Sequence, residues 1–531
     1  MLVQTLEKQV LMQQAIYAKI LKKVYSRETH MRNYKLIGKN IASTGFFSEY
    51  LPPCFQLDDK VFRFPPPAQC DTIAPYSFTM SRYSGTKARR TIFIPEIGSY
   101  LVAQEYMNTS GSLEELIEFS ERSKASFSPI LGKNDSIVRH EQIYGEPPEL
   151  EEGTPIPTKY IENIAEKIIR SAGAKQILKL DISNCFSSFY MHMIPAIILG
   201  ADSAEAEYRN SLKGSASETY TKYAKLDSVI RQQNLNRTNG LLPGILSSKI
   251  IAEAILTRID IELEGYGLVF SRYVDDYEVY LYHDEAEEVI TVFEHILRRY
   301  GFVLNSEKTA ILDYPYYVEE NFEKLLDGQL HDGMDIEDWM GLFNTFFSLE
   351  RNGVKGAVRY LLKTIDARPV STNCPLLKAY LLGAIANNDR SLSKACSILI
   401  AHREEIPLGE NDLATVHKML HCHLACEHDL EVIWLLFLLT ETENIQAGDS
   451  VVEQIVNSNN ELAQVLLFRK DLLTGELMDV LKRKAVSWIL LYEFYAADHI
   501  DEDTFADTLG IQKNLPMYQK IKRNSIHFCL N

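Results

Sequence analysis

The chain has 531 residues, of which 46% are hydrophobic, and a formal net charge of −17. This length and hydrophobic content predict a folded protein of roughly two to four domains. The net negative charge excludes a protein that coats nucleic acid by bulk electrostatic attraction. Residues 315–531 hold 20 Lys and Arg against 32 Asp and Glu, so a local basic groove in residues 1–314 is still compatible with the composition.

Signals for secretion and membrane insertion are weak. The eight cysteines are scattered without the spacing of a disulfide framework, which favours a reducing compartment. The first segment, MLVQTLEKQVLMQQ, is amphipathic and has no signal-peptide apolar block. The longest apolar run, VIWLLFLLT from Val432 to Thr440, is far shorter than the roughly 20 residues that cross a bilayer. We therefore expect a cytoplasmic protein with no membrane partner.

The texture of the sequence changes near Pro315. Before it come strand-like runs rich in Ile, Val, Tyr and Phe, separated by Pro and Gly clusters such as FRFPPPAQC and GEPPELEEGTPIPT, the second of which predicts a long surface loop. After it, EDWMGLFNTFFSLE, KGAVRYLLKTID, CPLLKAYLLGAIANN and LATVHKMLHCHLACEH have apolar residues at helical spacing. These patterns predict an α+β region over residues 1–315 and an all-helical domain, an irregular HEAT-like array, over residues 316–531.

Three acidic residues stand at the predicted ends of strands. In QILKLDISNCFSSFY a buried strand is expected to end at Asp181, and GLVFSRY and YEVYLYH predict two strands joined by a tight turn at Val274, Asp275 and Asp276. A pair of acids in a turn has two interpretations: a solvated turn, because Asp suits turns, or ligands of a divalent cation that offsets their repulsion. Three carboxylates from two strands favour a site for two Mg²⁺ ions that catalyse nucleotidyl transfer.

An ordered set of segments resembles the palm of reverse transcriptases. LDISNCF and YVDD look like its motifs A and C, NGLLPGILSSKI takes the place of motif B, and GFVLNSEKTAIL resembles motif D. KARRTIFIPEIGSYL resembles the fingers strand whose basic residues contact the incoming triphosphate. These matches fall over residues 80–312 in the required order, so the resemblance implies reverse-transcriptase-like fingers and palm.

The resemblance implies a role for each matching residue. Asp181, Asp275 and Asp276 would be the catalytic residues and the ligands of Mg²⁺, with Mn²⁺ as an alternative. The residues that would bind the nucleotide are Phe186 as the steric gate against a ribose 2′ hydroxyl, Arg89, Arg90, Gly244 and Lys308.

Several of these roles have an ordinary structural alternative. Phe186 could be a core residue, and Lys308 could be a solvated lysine. Arg89 and Arg90 are adjacent on a strand and point to opposite faces, so we expect only one of them to contact phosphate.

The motif B segment departs from the usual Gly-x-Pro-Gln-Gly pattern, because GLLPG shifts the proline and lacks the glutamine. Together with the helical region, this segment makes the chain most similar to the bacterial abortive-infection (Abi) reverse transcriptases. That resemblance implies antiphage defence in the bacterial cytoplasm, template-free synthesis from dNTPs, a DNA product attached to a protein hydroxyl, and a homo-oligomer. Related enzymes copy a noncoding RNA, and a scaffold with a relic polymerase fold is a further alternative.

Tyrosine is the better candidate for a priming hydroxyl than serine, because its reach is longer and its pKa is lower, at about 10. Tyr17, Tyr25 and Tyr34 near the start of the chain are candidates, as are tyrosines on loops of the helical region. A separate cluster, HKMLHCHLACEHD, contains His and Cys pairs on one helical face. Because one helix cannot bring four of these ligands to a single zinc ion, we expect a packed helix there.

Overall fold

The protein is described by a computed structural model that covers residues 32–81, 88–132, 135–138, 160–283, 285–318, 321–366 and 375–530. The described chain is mixed α/β, with an all-helical C-terminal region, as the sequence patterns predict. The loop predicted over residues 145–158 and the candidate primers Tyr17 and Tyr25 lie outside the described residues.

Helices surround two small sheets in the part that precedes residue 315. Short 3₁₀ turns occur at Asp59–Arg63 and Met191–Met193. The α-helices are α1 (Tyr34–Thr44), α2 (Ile97–Thr109), α3 (Ser112–Ser120), α4 (Tyr160–Arg170), α5 (Cys185–Ser188), α6 (Ile194–Leu199), α7 (Ala201–Ser211), α8 (Glu218–Gln232), α9 (Leu246–Gly265) and α10 (Ala286–Arg299).

Both sheets are antiparallel. The first is the pair β1 (Tyr76–Ser81) and β2 (Arg89–Ile94). The second has the order β4-β5-β3-β6, and its strands are β3 (Gln176–Asp181), β4 (Phe270–Tyr273), β5 (Asp276–Leu281) and β6 (Ala310–Asp313). The predicted strand that ends at Asp181 and the predicted hairpin are thus confirmed. Alternation along β3 buries Leu178 and Leu180 against helices and leaves Lys179 and Asp181 on the opposite face.

The region after residue 320 consists of helices in its described parts. They are α11 (Phe322–Leu326), α12 (Ile336–Arg351), α13 (Ala357–Asp366), α14 (Pro375–Asn387), α15 (Leu392–Ala401), α16 (Glu410–Ala425), α17 (Asp429–Glu441), α18 (Ser450–Asn457), α19 (Glu461–Arg469), α20 (Gly475–Lys484), α21 (Trp488–Ala496), α22 (Glu502–Leu509) and α23 (Leu515–Arg523). Local chemistry starts several of them: Asp335 caps α12 with a capping box, and Ser487 caps α21.

The apolar run VIWLLFLLT lies within α17, which is buried along almost its whole length. A helix that is apolar all round belongs in a core when it is this short. Among the described residues, no helix combines the length and hydropathy that a membrane span requires.

Two large hydrophobic cores organise the chain. One lies under the four-stranded sheet and contains Leu178, Leu180 and Phe293. The other joins residues 46–101, which include β1 and β2, to the C-terminal helices. The predicted boundary at residue 315 lies where the secondary structure changes from mixed to all-helical. The second core nevertheless contains residues from both sides of this boundary.

Polar contacts reinforce this second core. Three consecutive backbone N–H groups before α23, those of residues 512–514, donate to Asp71 Oδ2 at 2.7–3.1 Å. Phe55 and Cys529 form an antiparallel bridge, and the backbone N of Leu530 donates to the carbonyl of Cys54 at 2.8 Å. The C-terminal helices thus hold the segment that leads into β1.

Candidate active site

The three predicted acids meet at one edge of the four-stranded sheet. Asp181, the last residue of β3, is directly opposite Asp276, the first residue of β5, and Asp275 precedes it in the turn from β4. We call Asp181, Asp275 and Asp276 the acidic cluster. The turn also contains Val274 with φ of 54°. A positive φ is strained for a β-branched residue, and such strain persists only where neighbouring groups hold it.

Asp181 already has partners for both of its carboxylate oxygens. Asn305 Nδ2 donates to Oδ1 at 2.9 Å and Lys308 Nζ donates to Oδ2 at 2.6 Å. The backbone N of Asn305 also donates to the Asp181 carbonyl at 2.8 Å, which fixes this loop beside β3. The structure therefore brings Lys308 to the acidic cluster. The hydrogen bond to Asp181 raises the pKa of Lys308, so the lysine stays charged.

Crowding of negative charge perturbs the other two acids. Burial, followed by the charge of Asp181, raises the pKa of Asp275 above its usual range. Burial and the charges of Asp275 and Asp181 raise the pKa of Asp276 to about 7, although part of the Asp276 side chain reaches solvent. Near neutral pH the carboxyl of Asp276 is therefore protonated in part of the molecules. Repulsion of this kind is what a bound cation relieves.

The acidic cluster fits Mg²⁺ by donor chemistry but is not a preformed cage. Three carboxylates are the hard oxygen donors that Mg²⁺ takes in proteins. Within the described ranges, however, no three or more His, Cys, Asp or Glu side chains are arranged to hold a metal ion. In this arrangement the two carboxylate oxygens of Asp181 are hydrogen-bonded to Asn305 and Lys308.

The two arginines of β2 point in different directions, as expected for adjacent residues of a strand. Arg89, predicted to bind the nucleotide, instead forms a salt bridge with Glu431 of α17, and its Nε donates to Thr79 Oγ1 at 3.2 Å. The Arg89 guanidinium is thus held by α17 and β1, and its contact with phosphate stays a prediction. Arg90 is exposed, and its positive charge acts on Asp275 by lowering the pKa of that carboxyl. Of the two arginines, Arg90 is therefore the one whose charge is seen to act on the acidic cluster.

Gly244 connects the altered motif B segment to β2. Its φ is 109°, and a Cβ at this position would lie 2.5 Å from Ile92 Cγ2. Next to it, the backbone N of Phe93 donates to the Pro243 carbonyl at 2.9 Å. Close packing on β2 is therefore enough to require glycine here, and nucleotide binding by Gly244 stays a prediction.

Phe186 lies in α5, close after Asp181. Its ring is half-buried and packs against the core under the sheet, and its carbonyl accepts a hydrogen bond from the backbone N of Leu241 at 2.9 Å. The motif B segment, which contains Leu241 and Pro243, therefore contacts both β2 and α5. The position is compatible with a steric gate as well as with a core residue, so both interpretations stand.

Sequence reasoning missed three partners of these residues. Glu431 and Asn305 pair with Arg89 and Asp181. Glu431 directly precedes the run VIWLLFLLT and Asn305 lies within GFVLNSEKTAIL, but neither segment indicates which residue its polar side chain contacts. The third is a buried set of charges under the turn, formed by Arg272 of β4 with two acids of α9. Here a signal existed, since a charged residue at a core position of a strand requires a buried partner.

The remaining candidates lie elsewhere. Tyr34 begins α1, and its hydroxyl donates to Glu118 Oε1 at 3.3 Å. The His and Cys cluster lies on α16 and the turn that follows, as the expected helix requires, and His423 Nδ1 lies 3.0 Å from His428 Nδ1.

No protein-family model and no curated protein sequence matches this chain. Solved structures that resemble it include the apo telomerase of Candida tropicalis, with 10% identity and a TM-score of 0.32 over 75% of this chain and 69% of that chain. Telomerase of the same organism with a TWJ fragment of telomeric RNA has 11% identity and a TM-score of 0.32 over 75% and 65%. The Candida albicans complex with a TWJ fragment of telomeric RNA has 11% identity and a TM-score of 0.28 over 83% and 64%. Similarity at this level carries no argument about the activity of this chain.

Proposed function

We propose that this protein is a DNA polymerase of the reverse transcriptase family that acts in antiphage defence. It adds dNTPs without a template to a tyrosine hydroxyl of a protein. The observation that carries this proposal is the acidic cluster, in which Asp181 and Asp276 face each other across two strands and Asp275 lies in the adjoining turn. Carboxylates that repel one another at a sheet edge have no structural benefit, whereas nucleotidyl transfer requires them.

The residues around the acidic cluster suit this reaction. Asp181, Asp275 and Asp276 would hold Mg²⁺ or Mn²⁺, which activates an attacking hydroxyl and stabilises the leaving pyrophosphate. The protonated side chain of Lys308 lies beside Asp181, and Arg90 of β2 adds a second positive charge. A triphosphate is attracted to this pair of cations by charge-assisted hydrogen bonds.

The altered motif B segment supports synthesis without a template. The carbonyl of Pro243 and the backbone N of Leu241 are both hydrogen-bonded within the protein, to β2 and to α5. The proline shift and the missing glutamine leave this segment without the usual pattern for sensing a base pair.

The test is to incubate the purified protein with Mg²⁺ and labelled dNTPs in the absence of nucleic acid. We expect label in a high-mass product that withstands denaturation and is degraded by nuclease. Protease digestion and mass spectrometry should then place the first nucleotide on one tyrosine, and the Phe variant of that tyrosine should fail to start synthesis while still extending a supplied primer. A protein-free product that copies a bound RNA would replace this proposal by the RNA-templated alternative.

A second candidate function, a scaffold with a polymerase-like fold, is favoured by one observation. Both oxygens of Asp181 are engaged by Lys308 and Asn305, so part of the negative charge of the acidic cluster is already balanced within the protein. If the scaffold interpretation holds, Asp275→Asn/Asp276→Asn would keep full protection against phage, and the wild type would incorporate no label with Mg²⁺ or Mn²⁺.

We also propose that the protein forms a homo-oligomer and lies in the bacterial cytoplasm. Light scattering of the pure protein tests the first proposal, and cell fractionation tests the second.

A further inference from the structure

Arg272 in β4 is fully buried and is surrounded by carboxylates. Its Nε donates to both oxygens of Asp260 at 2.9 Å, and Nη1 and Nη2 donate to Glu253 at 3.0 and 2.7 Å. Both acids belong to α9, and their side chains are 0% and 3% exposed. Burial of such a set is costly and is weak support for stability, so its value lies in the geometry that it fixes.

The same guanidinium reaches the turn that bears the acids. Arg272 Nη1 donates to the carbonyl of Val274 at 2.9 Å. Val274 is the residue with the strained φ of 54°, and Asp275 follows it directly. One planar group thus connects helix α9 to the backbone immediately before two members of the acidic cluster.

The acids around Arg272 are themselves held in place. Ser126 Oγ donates to Glu253 Oε1 at 2.6 Å, Ser123 Oγ donates to Asp260 Oδ2 at 2.5 Å, and the Tyr277 hydroxyl donates to Asp260 Oδ1 at 3.1 Å. Both carboxylates therefore have a second partner besides the guanidinium: one on Oε1 of Glu253 and one on each oxygen of Asp260. A network whose members are satisfied in this way is rigid.

We infer that Arg272 is a positioning residue for the proposed nucleotidyl transfer: it fixes the strained turn and thereby the places of Asp275 and Asp276. This inference rests on the proposed function, and Arg272 itself contacts no substrate. Lysine could not replace it, because the role uses the three nitrogens Nε, Nη1 and Nη2 of a planar fork, directed at two carboxylates and one carbonyl.

Three variants test the role. Arg272→Lys removes the fork, and Glu253→Gln places an NH₂ group against the guanidinium donors. Glu262→Gln is the matched control, because Glu262 also lies on α9 and pairs with an arginine, Arg299, at 2.7 Å, but its partners Arg299 and Tyr300 belong to the C-terminal end of α10 and not to the turn. Since misplacement of reacting groups by about 1 Å can cost about 10²-fold, we expect Arg272→Lys and Glu253→Gln to lower kcat by at least about tenfold. The KM for dNTPs should change by less than about twofold, because Arg90 and Lys308, which are proposed to attract the triphosphate, are not altered.

Hydrogen exchange provides a measurement that does not require activity. The amides of residues 273–276 should exchange faster in Arg272→Lys and Glu253→Gln than in the wild type, and at the wild-type rate in Glu262→Gln. A folded Arg272→Lys protein with wild-type kcat and wild-type exchange would overturn the inference. If both primary variants fail to fold, Tyr277→Phe decides, since it keeps the ring and loses one hydrogen bond to Asp260. It should give the same split between kcat and KM at smaller size, and wild-type values would overturn the inference.

The two proposals fail in different ways. If the wild type incorporates no nucleotide, the proposed function is wrong, and hydrogen exchange in the three variants still decides whether Arg272 holds the turn. If the wild type is active and Arg272→Lys leaves kcat and exchange unchanged, only the positioning role is wrong.

Discussion

The neighbouring arginines of β2 should respond to substitution in opposite ways. Arg89→Ala leaves Glu431, which is 5% exposed, without the cation that it binds. Removal of one partner of a buried pair costs about 3–5 kcal/mol, and the lower end applies because Arg89 is 17% exposed. We therefore expect a loss of about 3 kcal/mol in the free energy of unfolding. Arg90→Ala, at an exposed position, should change that free energy by less than about 0.5 kcal/mol.

The kinetic effects should be reversed. If Arg90 binds a phosphate of the incoming nucleotide, Arg90→Ala removes a charge-assisted hydrogen bond that contributes about 1.5–3 kcal/mol. This loss corresponds to a rise of about 10- to 100-fold in the KM for dNTPs. Arg89→Ala should leave this KM close to the wild-type value at a temperature where the variant is folded, because the Arg89 guanidinium is bound to α17.

Urea unfolding and initial rates as a function of dNTP concentration measure the two effects separately. Arg89→Met/Glu431→Leu is the control for the salt bridge, since replacing both buried partners with apolar groups should recover most of the lost stability. The reasoning would be refuted if Arg89→Ala kept full stability and raised the KM as much as Arg90→Ala does.

Three other substitutions test the acidic cluster and its neighbours. Asp275→Ala/Asp276→Ala should abolish synthesis without unfolding the protein. The folded state raises the pKa of Asp276 from 3.8 to about 7, so the free energy of unfolding of the wild type falls as pH rises through that interval. In urea unfolding without divalent ions, the double variant should therefore be the more stable protein at pH 8 but not at pH 4. Phe186→Ala should admit ribonucleotides if the ring excludes the 2′ hydroxyl, and equal rejection of rNTPs by variant and wild type would make it a core residue. Gly244→Ala should lower the free energy of unfolding, measured by calorimetry, by about 2–5 kcal/mol, because of backbone strain and the overlap of the new methyl group. The control Gly111→Ala, at a φ of 73° with no atom within 4 Å of the new methyl group, should lower it by only about 1–2 kcal/mol. Equal losses in the two variants would contradict the overlap.

Local pattern was enough to predict the strands that present the acids. The alternation in QILKLD and in YEVYLYH specifies which side chains face the core, and Asp at a strand end next to a turn restricts where its carboxylate can lie. The pairing of Asp181 with Asp276 follows once those strands are adjacent. Lys308 had no such pattern, and only the resemblance of its segment to motif D pointed to the acidic cluster.

The pairing of charges could not be predicted, because it depends on contacts between distant parts of the chain. Arg89 is 342 residues from Glu431, and alternation alone indicates that one of the two arginines faces the acids without specifying which. The partners of Arg272 are on a helix whose rotation about its axis is set by packing under the sheet. The apolar composition of α17 likewise predicts burial but does not indicate that the helix packs against β1.

The bridge between Phe55 and Cys529 has a consequence for the order in which the protein matures on the ribosome. Synthesis proceeds at about 5–20 residues per second, and segments fold as they become available. The four-stranded sheet, the core under it and the partners of Asp181 need nothing beyond residue 313, so the acidic cluster can form early. The core of β1 and β2 stays incomplete until residues 526–529 have been made, so Arg90 reaches its final place only then. A nascent chain would therefore carry the acids well before Arg90 is in place. If the proposed function holds, nucleotide binding by Arg90 would have to wait until the helical region has been added.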